Sequence, residues 1–175
     1  GKNLTRQPDQ NTYHVAVELA HRTIITDTHI DLPEWLEDRH FDPDTSDPAI
    51  ILENTGDLDY QRALQGGLSA PFMSIYIPSS YQEKGKDPQG YARHLIQMVE
   101  RIIQTYPDKF APGLSPEMIE SNFQKGLISL PMGMENGAPL LHLDDVNAFY
   151  AKGIRYVTLT HATDNHICDS SYDTT

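Results

Sequence analysis

The sequence predicts a parallel α/β fold, and three observations carry that prediction. Segments of strand length, rich in β-branched and apolar residues, alternate with segments of helical spacing along the 175 residues. That order feeds a parallel sheet through helical crossovers. The strands read as buried, as parallel strands covered by helices must be. The residues with the most chemistry, His29 with Asp31, Glu135 and His161, fall where those strands end. Parallel α/β proteins carry their sites on that face, whether the sheet closes into a (β/α)8 barrel or stays open. Periodicity does not choose between the two.

Residues 11–22 read as a helix, with Tyr13, Ala16, Val17 and Ala20 near helical spacing and Asn11 as its cap. With the polar residues before it, this makes an N-terminal extension and leading helix, 1–22, ahead of a main domain at 23–175. Thr23, Ile24, Ile25 and Thr26 open that domain as a buried strand. Residues 32–55 come next as an irregular stretch rich in Asp and Pro; a loop of that length after a strand often covers a site. Its acids Asp42, Asp44 and Asp47 lack the ligand spacing of a calcium loop and are read as solvated. A short helix over 57–65 is stopped by Gly66 and Gly67. The second strand covers 68–77, and Pro71 within it predicts a bulge or a late start to regular pairing. Asp87 and Pro88 begin a long helix whose apolar face is traced by Tyr91, Leu95, Met98, Val99, Ile102 and Tyr106. Ser115 and Pro116 open the next helix, which Gly126 closes. A third strand over 127–134 delivers Glu135. A helix over 143–152 ends at Gly153, and a fourth strand over 154–160 delivers His161.

The stretch at 23–33 organises the rest. Asp27, His29 and Asp31 alternate with Thr28 and Ile30, and in extended backbone side chains two apart share a face. An imidazole between two carboxylates at the end of an apolar strand suits zinc or another divalent ion. The plainer alternative is a strand running into a polar loop, with one capping Asp and a solvated His.

Bulk composition excludes several classes. Hydrophobic residues make up 38% and charged residues 22%, a globular balance with enough chain for one core. No apolar run approaches the roughly 20 residues of a membrane span. No basic end followed by an apolar run marks a signal peptide, so a targeting segment is expected to be removed or never present. The net charge of -12 argues against nucleic acid as a partner, since phosphate-backbone binding needs clustered Lys and Arg. The single cysteine, Cys168, forms no intrachain disulfide and leaves the redox compartment open. His166, Cys168 and Asp169 lie close together, but a lone pair of soft ligands without a second pair does not make a structural zinc site.

Four ordered segments resemble one family, the membrane (renal-type) dipeptidases, peptidase family M19. Asp27-Thr28-His29-Ile30-Asp31-Leu32-Pro33 matches that family's opening motif. The run from Gly66 through Leu68, Pro71 and Phe72 to Ser74 resembles its second strand. Gly133-Met134-Glu135-Asn136-Gly137 resembles its Gly-x-Glu-Gly-Gly. The run from Gly153 through Tyr156 and Thr158 to His161 is close to its fourth strand, and Asn165, Asp169 and Ser170 fit the segment after that strand.

The resemblance implies a TIM-type (β/α)8 barrel of the metal-dependent hydrolase kind, of which the first four β/α units are present. It implies two zinc ions, one bound by His29 and Asp31, with Glu135 bridging both. A hydroxide between the ions would attack the peptide bond of a dipeptide. His161 would contact substrate and stabilise the tetrahedral intermediate, with Asp27 and Asn165 behind the ligands and Asp27 orienting the second ring nitrogen of His29. The family's two further zinc histidines, its substrate-binding Arg and its proton-relaying Asp have no counterpart before Thr175. The remaining half of the barrel is therefore an expected partner, a homodimer is allowed, and the chain alone is expected to be inactive. The resemblance favours a secreted, periplasmic or cell-surface address over a cytoplasmic one. Pro71, Met73 and Asn136 depart from the family pattern and bear on substrate shape. They keep open a related amide or lactam hydrolase. A homologue that binds metal or a partner without catalysis is the non-enzyme alternative, discriminated by whether a continuation supplies the two missing histidines.

Overall fold

The structure, a computed structural model, describes residues 9–53 and 56–173; the first residues of the polar start and Thr175 lie outside them. Helix α1 spans Gln10–Arg22, and Asp9 caps it by accepting from the Thr12 backbone N–H at 2.9 Å. The cap is thus two residues earlier than Asn11. No residue of α1 is buried. It touches the rest of the chain where His21 Nε2 meets the Leu64 carbonyl at 3.1 Å. Close by, Gly67 adopts φ +74°, and a Cβ there would come 2.8 Å from the Ala20 carbonyl oxygen. Only glycine fits both the left-handed backbone and that approach.

Residues 23–31 do not form the buried strand expected of them. They make two isolated parallel bridges, Ile25 with Leu68 and Ile30 with Met73, and Ile24 is exposed. Two local features break the ladder. Asp27 Oδ1 takes the His29 backbone N–H at 2.9 Å and bends the chain, a side chain competing with strand pairing. Opposite, Pro71 has no N–H to give, and Ser69 and Ala70 both donate to the single carbonyl of Ile25.

Residues 32–53 are more ordered than an irregular loop. Helix α2, Leu32–Glu37, starts with Pro33 in its first turn and buries Pro33 and Leu36. Helix α3, Ala49–Leu52, buries Ile51. Between them the Arg101 guanidinium bridges Asp42 at 2.6 Å and Asp44 at 2.5 Å, so these acids are ion-paired rather than merely solvated. Helix α4, Tyr60–Gly66, is capped by buried Asp59, which accepts from the Arg62 N–H at 2.9 Å.

Strand β1 is Met73–Tyr76, so regular pairing begins two residues after Pro71, the late start rather than the bulge of the two outcomes that the proline predicts. Helix α5, Pro88–Thr105, packs Leu95, Ile96, Met98, Val99 and Ile102 into the core. Strand β2, Phe110–Pro112, is not predicted by the sequence, being too short for a period to register. Helix α6 is Pro116–Gln124. The third expected strand is two: β3, Ile128–Leu130, and β4, Met132–Glu135. Pro131 separates them; β3 pairs with β2, while β4 pairs with β1 and the last strand. Helix α7, Leu143–Ala151, and strand β5, Ile154–Thr158, complete the chain.

The larger sheet has the order β1-β4-β5, all parallel. With the bridges from 25 and 30 alongside β1, the four segments lie side by side in sequence order. The register pairs Tyr76 with Glu135 and Glu135 with Thr158, so their C-terminal ends align at one rim. No helix of the described residues is long and apolar enough to cross a membrane.

Candidate metal centre

Glu135 is the last residue of β4, and its side chain is 14% exposed. Its two oxygens divide their contacts. Oε2 lies 3.1 Å from His29 Nε2 and accepts from the Ser74 hydroxyl at 2.9 Å. Oε1 lies 3.2 Å from His161 Nε2. Asp31 Oδ1 stands 3.1 Å from the same His29 Nε2. His29, Asp31 and Glu135 each present a ligand atom within 4.8 Å of the others. Among the described residues they are the one group of three or more His, Cys, Asp or Glu so disposed. One imidazole nitrogen and two carboxylate oxygens on three separate side chains match the donor chemistry of zinc.

Sheet parity explains why these groups meet. Ser74 and Tyr76 pair with Gly133 and Glu135, which pair with Tyr156 and Thr158. Residues at those positions share one face of the sheet. His29 and Asp31 reach the rim from beside β1, where Ser74 donates its N–H to the Ile30 carbonyl at 2.9 Å.

The rim is crowded with negative charge. Burial raises the Tyr156 phenol above its ordinary pKa, and Glu135, Asp31 and Asp27 add to the shift. Burial likewise raises Tyr76, helped by Glu34, Glu135 and Asp31. Burial raises the Glu34 carboxyl, with Asp31, Asp38 and Glu135 reinforcing and His161 opposing. A cation between the carboxylates would offset the part of each shift that comes from neighbouring negative charge. Beside the group lies a cavity of about 310 Å³ lined by His29, Asp31, Glu34, Trp35, Asp38 and Leu58.

Two expected residues contribute differently. The Asp27 carboxylate takes the backbone N–H of His29, and the second ring nitrogen, Nδ1, instead meets the Tyr156 hydroxyl at 3.1 Å. Asn165 stands back from the centre. Its Nδ2 donates to Asn136 Oδ1 at 3.0 Å and to the Leu159 carbonyl at 2.7 Å. Asn136 is buried at φ +72° and donates to the Ile77 carbonyl at 2.8 Å. Asparagine tolerates the left-handed backbone better than most residues, which accounts for Asn136 where the family pattern has Gly. His161 stacks edge-on against Tyr76, ring centroids 5.0 Å apart, and its carbonyl accepts from the Ser170 hydroxyl at 2.7 Å. His166 is held by the Leu140 carbonyl at 2.8 Å, and Cys168 is a free thiol. Sequence reasoning missed Ser74, Tyr76 and Tyr156. Their signal was parity with Glu135, readable only once the register was known.

Parallel strands with an imidazole–carboxylate cluster at their C-terminal ends define an α/β protein whose rim could hold a metal ion. The model of the membrane dipeptidase family, peptidase family M19, matches residues 14–175, and the chain belongs to that family. The dipeptidase ataJ of Aspergillus terreus is 27% identical over 97% of this chain and 43% of its own length. An uncharacterized dipeptidase of Schizosaccharomyces pombe is 29% identical over 95% of this chain and 42% of its own. Among solved structures, a probable dipeptidase, PvdM, from Pseudomonas aeruginosa superposes with a TM-score of 0.74 at 22% identity, covering 94% of this chain and 41% of that one. A metallo peptidase from Rhodobacter sphaeroides, liganded with a phosphinate mimic of the dipeptide L-Ala-D-Ala, superposes with a TM-score of 0.64 at 20% identity, covering 77% of this chain and 44% of that one. These likenesses extend to the fold. The chain spans about two fifths of the length of the curated relatives it matches.

Proposed function

We propose that this chain supplies the first half of the active site of a zinc-dependent dipeptidase built on a (β/α)8 barrel. The observation that carries the reading is the division of Glu135, with Oε2 beside His29 and Oε1 beside His161. A carboxylate so placed can serve two cations at once. His29 and Asp31 would hold the ion on the Oε2 side, and Ser74 keeps that oxygen aimed by its hydroxyl. When bound, a pair of zinc ions acidifies a water to near neutral pH and polarises the scissile carbonyl. His161, whose ring reaches the rim on the far side of Glu135, donates a hydrogen bond to the substrate oxygen as charge builds there. The cavity lined by Trp35, Leu58 and Glu34 is large enough for a substituent of a small substrate.

The test is hydrolysis by the whole protein of a panel of dipeptides, together with amide and lactam analogues, before and after exhaustive chelation. Dipeptide cleavage lost on chelation and restored by zinc is expected. Cleavage that survives metal removal, or turnover confined to the analogues, would overturn the reading.

A further inference from the structure

We infer that Tyr156 is a positioning residue for the metal-binding histidine: its phenol oxygen accepts a hydrogen bond from His29 Nδ1–H and leaves Nε2 free to bind a cation between Asp31 and Glu135. The inference rests on the metal reading above and concerns how this chain prepares the site.

His29 needs such a tether. It lies in a segment held to β1 by two bridges rather than a continuous ladder, and its side chain is 39% exposed, so packing alone does not orient the ring. The ring's two nitrogens are chemically coupled: the partner at one decides which form is available at the other. Nε2 stands 3.1 Å from an oxygen of Asp31 and 3.1 Å from one of Glu135. A cation can seat among these donors only if Nε2 offers its lone pair, which requires the neutral ring to keep its proton on Nδ1. The Tyr156 oxygen, 3.1 Å from Nδ1, is the acceptor that holds that proton. Asp27, the carboxylate that sequence spacing suggests for this task, is already engaged by the His29 backbone N–H.

A phenol suits this position better than a carboxylate would. Metal-bound histidines usually present their second nitrogen to a carboxylate, a carbonyl or water. Here Asp27, Asp31 and Glu135 already gather around the rim, and a neutral acceptor adds no further negative charge to it. The chain is shaped to put the phenol there. Tyr156 pairs in register with Gly133, and a Cβ on Gly133 would collide with Tyr156 Cζ. The tyrosine ring therefore crosses β4 over the one residue without a side chain. Phe72 packs against the same ring, centroids 5.5 Å apart.

The experiment compares the full chain with Tyr156→Phe, which keeps the ring and its packing and removes only the oxygen. Zinc affinity is measured by competition with a chromophoric chelator, and the His29 ring nitrogens are followed by long-range proton–nitrogen NMR. In the parent chain with zinc, coordination through Nε2 and a slowly exchanging Nδ1 proton are expected. In Tyr156→Phe, zinc affinity should fall about 10-fold or more and the Nδ1 proton should exchange rapidly, with the thermal midpoint little changed. Gly133→Ala, which pushes the ring aside, should give the same NMR change. Unaltered affinity and an unaltered Nδ1 proton in Tyr156→Phe would overturn the role of Tyr156 while leaving the metal site intact. A parent chain that binds no zinc at all would overturn the metal reading and this inference together. If Tyr156→Phe unfolds, the parent spectrum decides: zinc on Nδ1, or a rapidly exchanging Nδ1 proton, would refute the assignment.

Discussion

Glu135 and His161 face each other at 3.2 Å, yet they are expected to fail in different ways. Glu135→Gln keeps the size of the side chain and removes the anion that two cations would share. Zinc affinity should fall by more than the roughly 10–100-fold that loss of an outer partner costs, and hydrolysis by the whole protein should be lost. Two ions bound with full activity, by metal analysis and rate, would remove Glu135 from the bridge. His161→Ala should leave metal content unchanged and lower kcat by about 10²–10³, the size of one lost donor to a developing oxyanion. A parallel loss of zinc in that variant would make His161 a metal ligand instead.

Among the elements, α4 depends on a single charged cap. Asp59 is buried, accepts from the Arg62 N–H at 2.9 Å and pairs with the Arg62 guanidinium, which also reaches the Gly56 carbonyl. Burial pushes the Asp59 carboxyl up, and the hydrogen bonds from Arg62 outweigh it, holding it below its ordinary value. A lowered folded pKa gives stability that is full above the unfolded value of about 4 and is lost as pH falls through the folded one. Asp59→Ala should therefore cost about 1–2 kcal/mol near neutral pH. Urea melts at a series of pH values should show that gap narrowing below about pH 4. A gap independent of pH would mean that the cap acts through shape alone.

For the molecule as a whole, one three-donor group among the described residues sets an expected stoichiometry. The chain by itself should bind one divalent ion per molecule at His29, Asp31 and Glu135, and should not hydrolyse dipeptides. Equilibrium dialysis with metal analysis measures the first and a dipeptide assay the second. Two tightly bound ions, or zinc-dependent turnover by these 175 residues, would contradict the division of the site proposed above.

The amino-acid sequence by itself determined the class of fold, the long helix at Pro88–Thr105, the break in regular pairing at Pro71, and the placing of His29, Asp31 and Glu135 at strand ends. Each of these rests on local physics: apolar spacing on one helix face, a proline that cannot donate, polar residues where strands run out. Tertiary structure decided which strands β3 and β4 join on either side of Pro131, and that Tyr156 rather than Asp27 meets His29 Nδ1. The reason is register. Which residue of β5 lies over Gly133, and so which side chain reaches a histidine 127 positions earlier in the chain, is fixed by pairing between distant strands and has no period to be read along one of them.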